Sequence, residues 1–517
     1  MDFNFLNGFI EWFFHNSTTQ KQRWITWIYF GVLLVGGAYL WGVFLNWGNI
    51  SFTFSDWAVI TAPRLAFLRD AMMKLVLPLH ISNPVALQAP TDRFLSLPNV
   101  FMGPTVILLR YLTISKFIIF QTILMVVVGF AGLLVLRKQL NLSPFAFMIL
   151  FFLFFFNGHI LSHYSVGNFE WCNYFLFAWF AALIVELLQS KGVGWAWVTK
   201  MTLVLFFMFL QGAFHFFLYS LTFLLVLGVF SPKYFLTMVK TIAASCLISA
   251  VRIAPTLLVA GALKVYYLGG YPMVQDLWNA LVLPTFPGVS NTLNGVNAGM
   301  GNWEYTIYIG LIGAVFLIYF GFYRTLRKDR SPAAQTTAAA QGSPTGSPYR
   351  VLLLPCLVFM LFSFTAVFQE LRVVLNVPPL TGERVATRLF IFTVLFLTVL
   401  AVYELQKWLD SIQISSLFAL ISLLLLGFEL NDLWQNYQFW GVSYAVTTFK
   451  LQTRFNQGNW VVANHPDSPY TIRLTHGLEI TCLTIAVLVF LVLFDKRRAA
   501  KAAQLNKSLE DLSIPTS

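Results

Sequence analysis

Charge is what this sequence has least of. Its 517 residues include 33 basic and 21 acidic side chains, 10% of the chain, against about 25% in an ordinary soluble domain. So few charges cannot cover a water-facing surface, which excludes a soluble enzyme and a disordered chain. Cysteine is as sparse: Cys172, Cys246, Cys356 and Cys482 lie one per apolar segment, with no CxxC. They signal neither a disulfide framework nor a zinc site and read as small core residues. No internal repeat is detectable, so an inverted-repeat transporter receives no support.

What is present is apolar. Hydrophobic residues make up 58% and aromatics 17% of the chain, the mean hydropathy is +0.72, and apolar runs approach about 20 residues, the length that crosses a bilayer as a helix. An outer-membrane barrel would instead alternate over about 10 residues. The expected fold is an all-α polytopic membrane protein with about twelve transmembrane helices, near 24–45, 116–136, 144–159, 171–188, 197–211, 214–231, 241–260, 305–323, 351–368, 389–406, 414–430 and 478–495. The first run follows Lys21 and Arg23 and lacks a small-residue cleavage site, so it reads as a retained helix. Phe3, Leu6, Phe9, Ile10 and Phe13 before it have helical spacing and suit an interfacial helix.

A net charge of +12 would suggest nucleic acid in a soluble protein; here it marks orientation, and no nucleic-acid partner is expected. Arg137 and Lys138, Lys191 and Lys200, Lys233 and Lys240, the group from Arg324 to Arg330, and Lys496 to Arg498 fall at alternate connections. The positive-inside rule puts these ends and both termini in the cytoplasm. Residues 331–348 are rich in Ala, Ser, Thr, Gly and Pro and read as a disordered cytoplasmic linker between a core at 1–330 and a four-helix region at 349–498, with a tail at 499–517. The long connections at 46–115, 261–304, 369–388 and 431–477 are all extracytoplasmic on this reading, which puts function on that face.

Candidate residues cluster in those connections. Asp56 precedes an apolar run with Leu65, Phe67, Leu68, Met72, Leu75 and Val76 at amphipathic spacing, where Arg64, Arg69 and Lys74 would meet lipid headgroups. Its carboxylate suits a general base or a cation ligand, and equally a helix cap. Asp92, in TDR, suits a local pair with Arg93 better than catalysis. His159 and His163 share a helix face, with Glu170 following; the pair suits a metal, a phosphate or sugar contact, or hairpin packing. Gln211 and His215 share another face and read as ligand contacts or as hydrogen-bonding glue between helices. Arg252 lies inside an apolar run, where an ionisable side chain needs an anionic partner, although a shallow position would let it snorkel. Arg384 and Arg388, four apart, suit a phosphate clamp or an interfacial network with Glu383. The Gly- and Asn-rich stretch before Glu304 suits a mobile lid, and Trp434, Tyr437, Phe439, Trp440, Tyr444, Arg454 and Trp460 suit an aromatic belt or a sugar platform.

The patterns SDWxxxxxPRLAFLRDA, NGHxxxHxSVGNFEW, FLQGAFH and GERVxxR, spread over 24–408, resemble the GT-C class of membrane glycosyltransferases and most closely the bacterial YfhO-like membrane proteins. That resemblance implies transfer of a sugar from a polyprenyl-phosphate donor to an extracytoplasmic glycan, lipid or protein acceptor in a bacterial inner membrane. Asp56 would match the first-loop carboxylate of the class as base or metal ligand, with His159, His163, Arg252, Arg384 and Arg388 as phosphate or sugar contacts. The first outer loop has no DD, DxD or ExD, so a divalent cation, Mg or Mn, stays an open expectation. A non-enzymatic transporter or flippase of an anionic lipid-linked substrate, or a membrane assembly factor, is the alternative. Short, bland cytoplasmic links favour the enzyme.

Overall fold

The computed structural model describes residues 3–15, 20–49, 56–190, 192–259, 261, 266–284, 301–327, 348–376, 378–441, 460–463 and 465–512. Over these the chain is an all-α polytopic membrane protein. Eight helices are long and apolar enough to cross a membrane, or nine if the bent pair Pro232–Ile248 and Ala250–Leu257 is one span. Three shorter apolar helices, Trp195–Leu210, Phe214–Phe230 and Pro348–Phe362, accompany them. The expected apolar runs fall largely on helical residues, and among the described residues length and composition mark eight or nine of these helices as crossings.

Breaks in the helices have local causes. The run from Pro144 to Val166 is interrupted at Asn157, which caps the helix Gly158–Val166 by accepting from the Ile160 amide at 3.3 Å. Its side-chain nitrogen donates back to the Leu153 and Phe154 carbonyls, each at 3.0 Å, and to the Tyr174 hydroxyl at 2.9 Å. One buried amide thus satisfies the groups a helix break exposes in an apolar environment. Gly158 lets the backbone of Tyr308 approach, donating its own N–H to the Tyr308 carbonyl at 2.7 Å; a Cβ there would lie 2.7 Å from the Tyr308 nitrogen.

The core is aromatic. Phe223 stacks on Phe396 at 4.3 Å, and Phe177 meets Phe392 edge-on at 4.9 Å, arrangements that add to the burial of the rings. These contacts place the helix Phe390–Asp410, which follows the expected linker, against the helices before it. The Ser143 amide donates to Gln406 at 2.8 Å across the same seam. Residues 331–347 themselves lie outside the described residues. The N-terminal helix Phe3–Phe14 is more than an interfacial strip: Ile10, Trp12, Phe13 and Phe14 are buried, and Trp12 donates to Thr26 at 2.8 Å.

Expectation and structure part at Ala62–Lys74. Ala62 to Leu68 are all buried, so this helix is packed into the protein and Arg64 does not lie on a surface that faces the bulk lipid. The same seven residues carry one charge in an otherwise apolar stretch, which suits a packed helix better than a two-faced surface one. Lys74 pairs with Asp70 at 2.8 Å. The helix then ends at Leu75 in the left-handed conformation, φ 55°.

Candidate active site

The segment that carries Asp56 is fastened to the segment that carries the histidines. Trp57 Nε1 donates to the Ser165 carbonyl at 3.1 Å and Thr61 Oγ1 to the Gly167 carbonyl at 2.5 Å. Gly167 ends the helix Gly158–Val166 with φ +103°, and a Cβ on it would sit 2.2 Å from the Trp57 nitrogen. Both the backbone conformation and the close approach require glycine. Gly167→Ala is therefore expected to destabilise the protein by roughly 2–4 kcal/mol, combining left-handed strain with overpacking. Denaturant unfolding in detergent micelles checks this, and a change within experimental scatter would mean that the two segments are not locked together.

Asp56 caps nothing with its side chain. Its carboxyl is only partly exposed and is pushed up from 3.8 to about 6, by burial first and then by the Glu304 carboxylate, against the opposing pull of Arg388, Arg384 and Arg64. Ile60, Thr61 and Arg64, which follow Asp56 in the chain, line a shallow cleft with Asn99, Phe101, Phe169 and Glu170; Asp56 itself is not among the lining residues and reaches this region through its charge interaction with Arg64. Arg64 is 8% exposed, and its Nε and Nη1 have no hydrogen-bond partner among the described residues. The carboxylates of Glu170 and Asp56 offset its charge, while the two free nitrogens leave room for a further anion to complete it.

Behind the cleft stands a paired group. Arg388 donates to both Glu304 oxygens, Nε to Oε2 at 2.8 Å and Nη2 to Oε1 at 2.5 Å, and its guanidinium lies 5.4 Å from the Trp171 ring. Trp171 stacks on His163 at 3.6 Å. The Asn168 amide nitrogen faces His163 Nδ1 at 2.9 Å; because that amide is a donor, it leaves the imidazole proton on Nε2, 3.9 Å from Glu304 Oε2. His159 lies 4.9 Å from both His163 and Trp171. Next to this group, Glu383 accepts from His215 Nδ1 at 2.8 Å and from the Tyr219 hydroxyl. Burial alone would raise the Glu383 carboxyl, but His215, Arg388 and Tyr219 more than offset it and hold it at about 2.

Sequence spacing placed some of these residues differently. Arg384 and Arg388 do not form a clamp, because Val385 between them is extended, φ −136°, and the helical turn begins only at Ala386. Arg384 is exposed, whereas Arg388 turns inward to Glu304. Arg252 is 2% exposed and holds protein carbonyls, donating to Leu97 at 2.7 Å and Leu95 at 3.2 Å, and so shapes the loop 95–100. Gln211 accepts from Gln121 at 2.7 Å and serves as glue between helices. Asp92 lies 3.6 Å from His465, in a separate group. Arg64, Trp171 and Glu304 are the residues whose placement was missed; all three sit in otherwise apolar or loop sequence with no charged neighbour at helical spacing to announce a pairing, whereas Glu383 does interact with Arg388 as the network alternative has it. The stretches 285–300 and 442–459, with the expected lid and with Tyr444 and Arg454, lie outside the described residues.

The donor set does not favour a metal here. Among the described residues no third carboxylate or imidazole joins Asp56 and Glu170, or His159 and His163, at ligand spacing, and Arg64 interacts with both Asp56 and Glu170. What the arrangement offers is a carboxylate raised above its ordinary range near Arg64, two of whose nitrogens have no hydrogen-bond partner among the described residues, and the exposed Arg384, a combination suited to taking a proton while an anion is held.

In comparison with known proteins, no family model, no curated protein and no solved structure matches the chain.

Proposed function

We propose that the chain is a membrane glycosyltransferase that moves a sugar from a polyprenyl-phosphate donor to an acceptor hydroxyl on the outer face of a bacterial inner membrane. The observation that supports this reading is the grouping of Asp56, a carboxylate raised to about 6, with Arg64, which interacts with it, lines the neighbouring cleft and has two guanidinium nitrogens without a hydrogen-bond partner among the described residues. Asp56 removes the proton from the acceptor hydroxyl as its oxygen attacks the anomeric carbon. The bond from that carbon to the phosphate oxygen breaks on the opposite side, inverting the centre, and the leaving phosphate keeps the electron pair. Arg64 and Arg384 are the cations that receive it, while Arg388 stays with Glu304. The site lies at the helix ends away from Arg137, Lys138, Arg324 and Arg327, so the positive-inside rule supports an outer location with both termini cytoplasmic and, if the shorter helices also cross, twelve spans around a GT-C-like core.

Transport of the same lipid-linked anion has one observation in its favour. Glu429 is 6% exposed in the middle of the helix Ser416–Trp440, accepting from the Gly313 amide at 2.9 Å, and a buried mid-span carboxylate often marks an ion path.

The test reconstitutes the full chain in liposomes with radiolabelled polyprenyl-phosphate sugars and a range of acceptor hydroxyls. Wild type is expected to transfer sugar, and a folded Asp56→Asn protein to be slower by about 10²–10⁴-fold, the usual contribution of a general base. Equal turnover would remove Asp56 from the reaction. Lipid crossing without sugar transfer, abolished by Glu429→Gln, would replace the transferase with the transporter.

A further inference from the structure

Away from the cleft, three short segments converge. The strand His80–Ile81 pairs antiparallel with Val461–Val462, and on its other side His80 bridges to Arg93. The Ile81 amide donates to the Asp92 carbonyl at 2.8 Å, and the Ser82 amide to the Trp460 carbonyl at 2.9 Å. The first long connection and the last are thereby joined, and each of the three segments brings one potential ligand: His80, Asp92 and His465. One ligand atom from each lies within 4.8 Å of the others.

We propose that His80, Asp92 and His465 form a zinc site that clips residues 465–467 to the connection between 80 and 93. The proposal is independent of the transferase reading. His465 Nε2 is 3.6 Å from Asp92 Oδ2, close to the separation of about 3.3–3.5 Å that two ligands have around tetrahedral zinc with bonds near 2.0–2.1 Å. His80 is 3% exposed, and its Nε2 lies 3.4 Å from Asp467 Oδ2. Asp467 is in turn held by Arg93, at 2.6 Å from Nε and 3.0 Å from Nη2. A carboxylate that accepts from one imidazole nitrogen fixes the proton there and leaves the other nitrogen as a lone-pair donor, the usual outer shell of a histidine ligand.

The knot of Arg93, Asp467 and His80 accounts by itself for a buried histidine. It does not account for His465, or for Asp92, whose carboxylate also attracts Arg93 but pairs with His465. His465 stacks on His80 with ring centroids 4.4 Å apart and planes at 20°. Parallel rings cannot both hold one ion in plane, so binding turns His465, the more exposed ring with 41% of its side chain accessible. Two imidazoles and one carboxylate favour zinc over magnesium or calcium, which prefer all-oxygen shells. The loop 95–100, which follows Arg93 and supplies Asn99 to the cleft, is anchored from this side through Tyr470, whose hydroxyl accepts from the Leu95 amide at 3.0 Å.

The experiment takes the full chain in detergent, stripped with a chelator and exchanged into metal-free buffer, and titrates it with zinc chloride alone. Bound metal is read by elemental analysis after gel filtration, and the thermal midpoint by tryptophan emission. Wild type is expected to retain one zinc per chain and to unfold at a higher temperature with the metal. His465→Ala, at an exposed position, should keep the metal-free midpoint and lose the bound zinc. Asp467→Asn should weaken zinc by about 10–100-fold, as removal of an outer-shell partner does. Failure of wild type to retain more zinc than His465→Ala, or a zinc-induced shift of equal size in both, would overturn the site.

Discussion

Arg388→Met is expected to lower the unfolding free energy by about 3–5 kcal/mol, the penalty for leaving a buried charge without its partner. Glu304 is 7% exposed, and both its oxygens are satisfied by that one guanidinium. Methionine fills much of the volume of the arginine stem, so the loss measures the stranded carboxylate more than a cavity. The companion double variant Arg388→Met with Glu304→Gln removes the stranded charge and is expected to recover a large part of the loss, since replacing both partners of a buried pair is often near neutral. Denaturant titration in micelles, followed by tryptophan emission, reads both. A single variant within about 1 kcal/mol of wild type, the range of an exposed pair, would show that water reaches this pair and that it does not brace the cleft.

The pairing of Arg388 with Glu304 also marks where sequence reading ended. Helices were legible because apolar runs in a bilayer have one hydrogen-bonded solution, and the expected runs fall largely on helical residues. The segment with His159 and His163 was legible as unusual because polar residues concentrate there. The partners were not legible: Glu304 and Arg388 are 84 residues apart, and no local periodicity connects them. Arg384 and Arg388 misled for the opposite reason, since a four-residue spacing implies a common face only if the backbone between is helical, and Val385 is extended. For Arg252 the expectation is an anionic partner, whereas its partners in the structure are the carbonyls of Leu95 and Leu97, and a carbonyl leaves no trace in side-chain identity. Arg64 was assigned to lipid because its helix was assumed to have a free face; only tertiary packing says that it has none.

Sugar transfer is expected to fall as pH is lowered through about 6, the value to which burial and the Glu304 charge raise the Asp56 carboxyl. A base must be unprotonated, so transfer should be level above that value and decline about tenfold for each pH unit below it. The same group acts on stability with the opposite sign. Its folded value lies above its ordinary 3.8, so its contribution to stability is fully present below 3.8 and is lost as pH rises through about 6. Activity and stability should therefore move in opposite directions across this window, which separates titration of a base from acid unfolding. Glu304→Gln removes the carboxylate that raises Asp56 and leaves Arg388 uncompensated beside it; both changes favour the ionised form, so the acidic limb should move to lower pH. The measurement is the pH profile of initial transfer rates at saturating donor, for wild type and Glu304→Gln, each checked for intact fold at every pH. A limb that stays in place in Glu304→Gln, or one that moves upward, would assign the titration to a group other than Asp56.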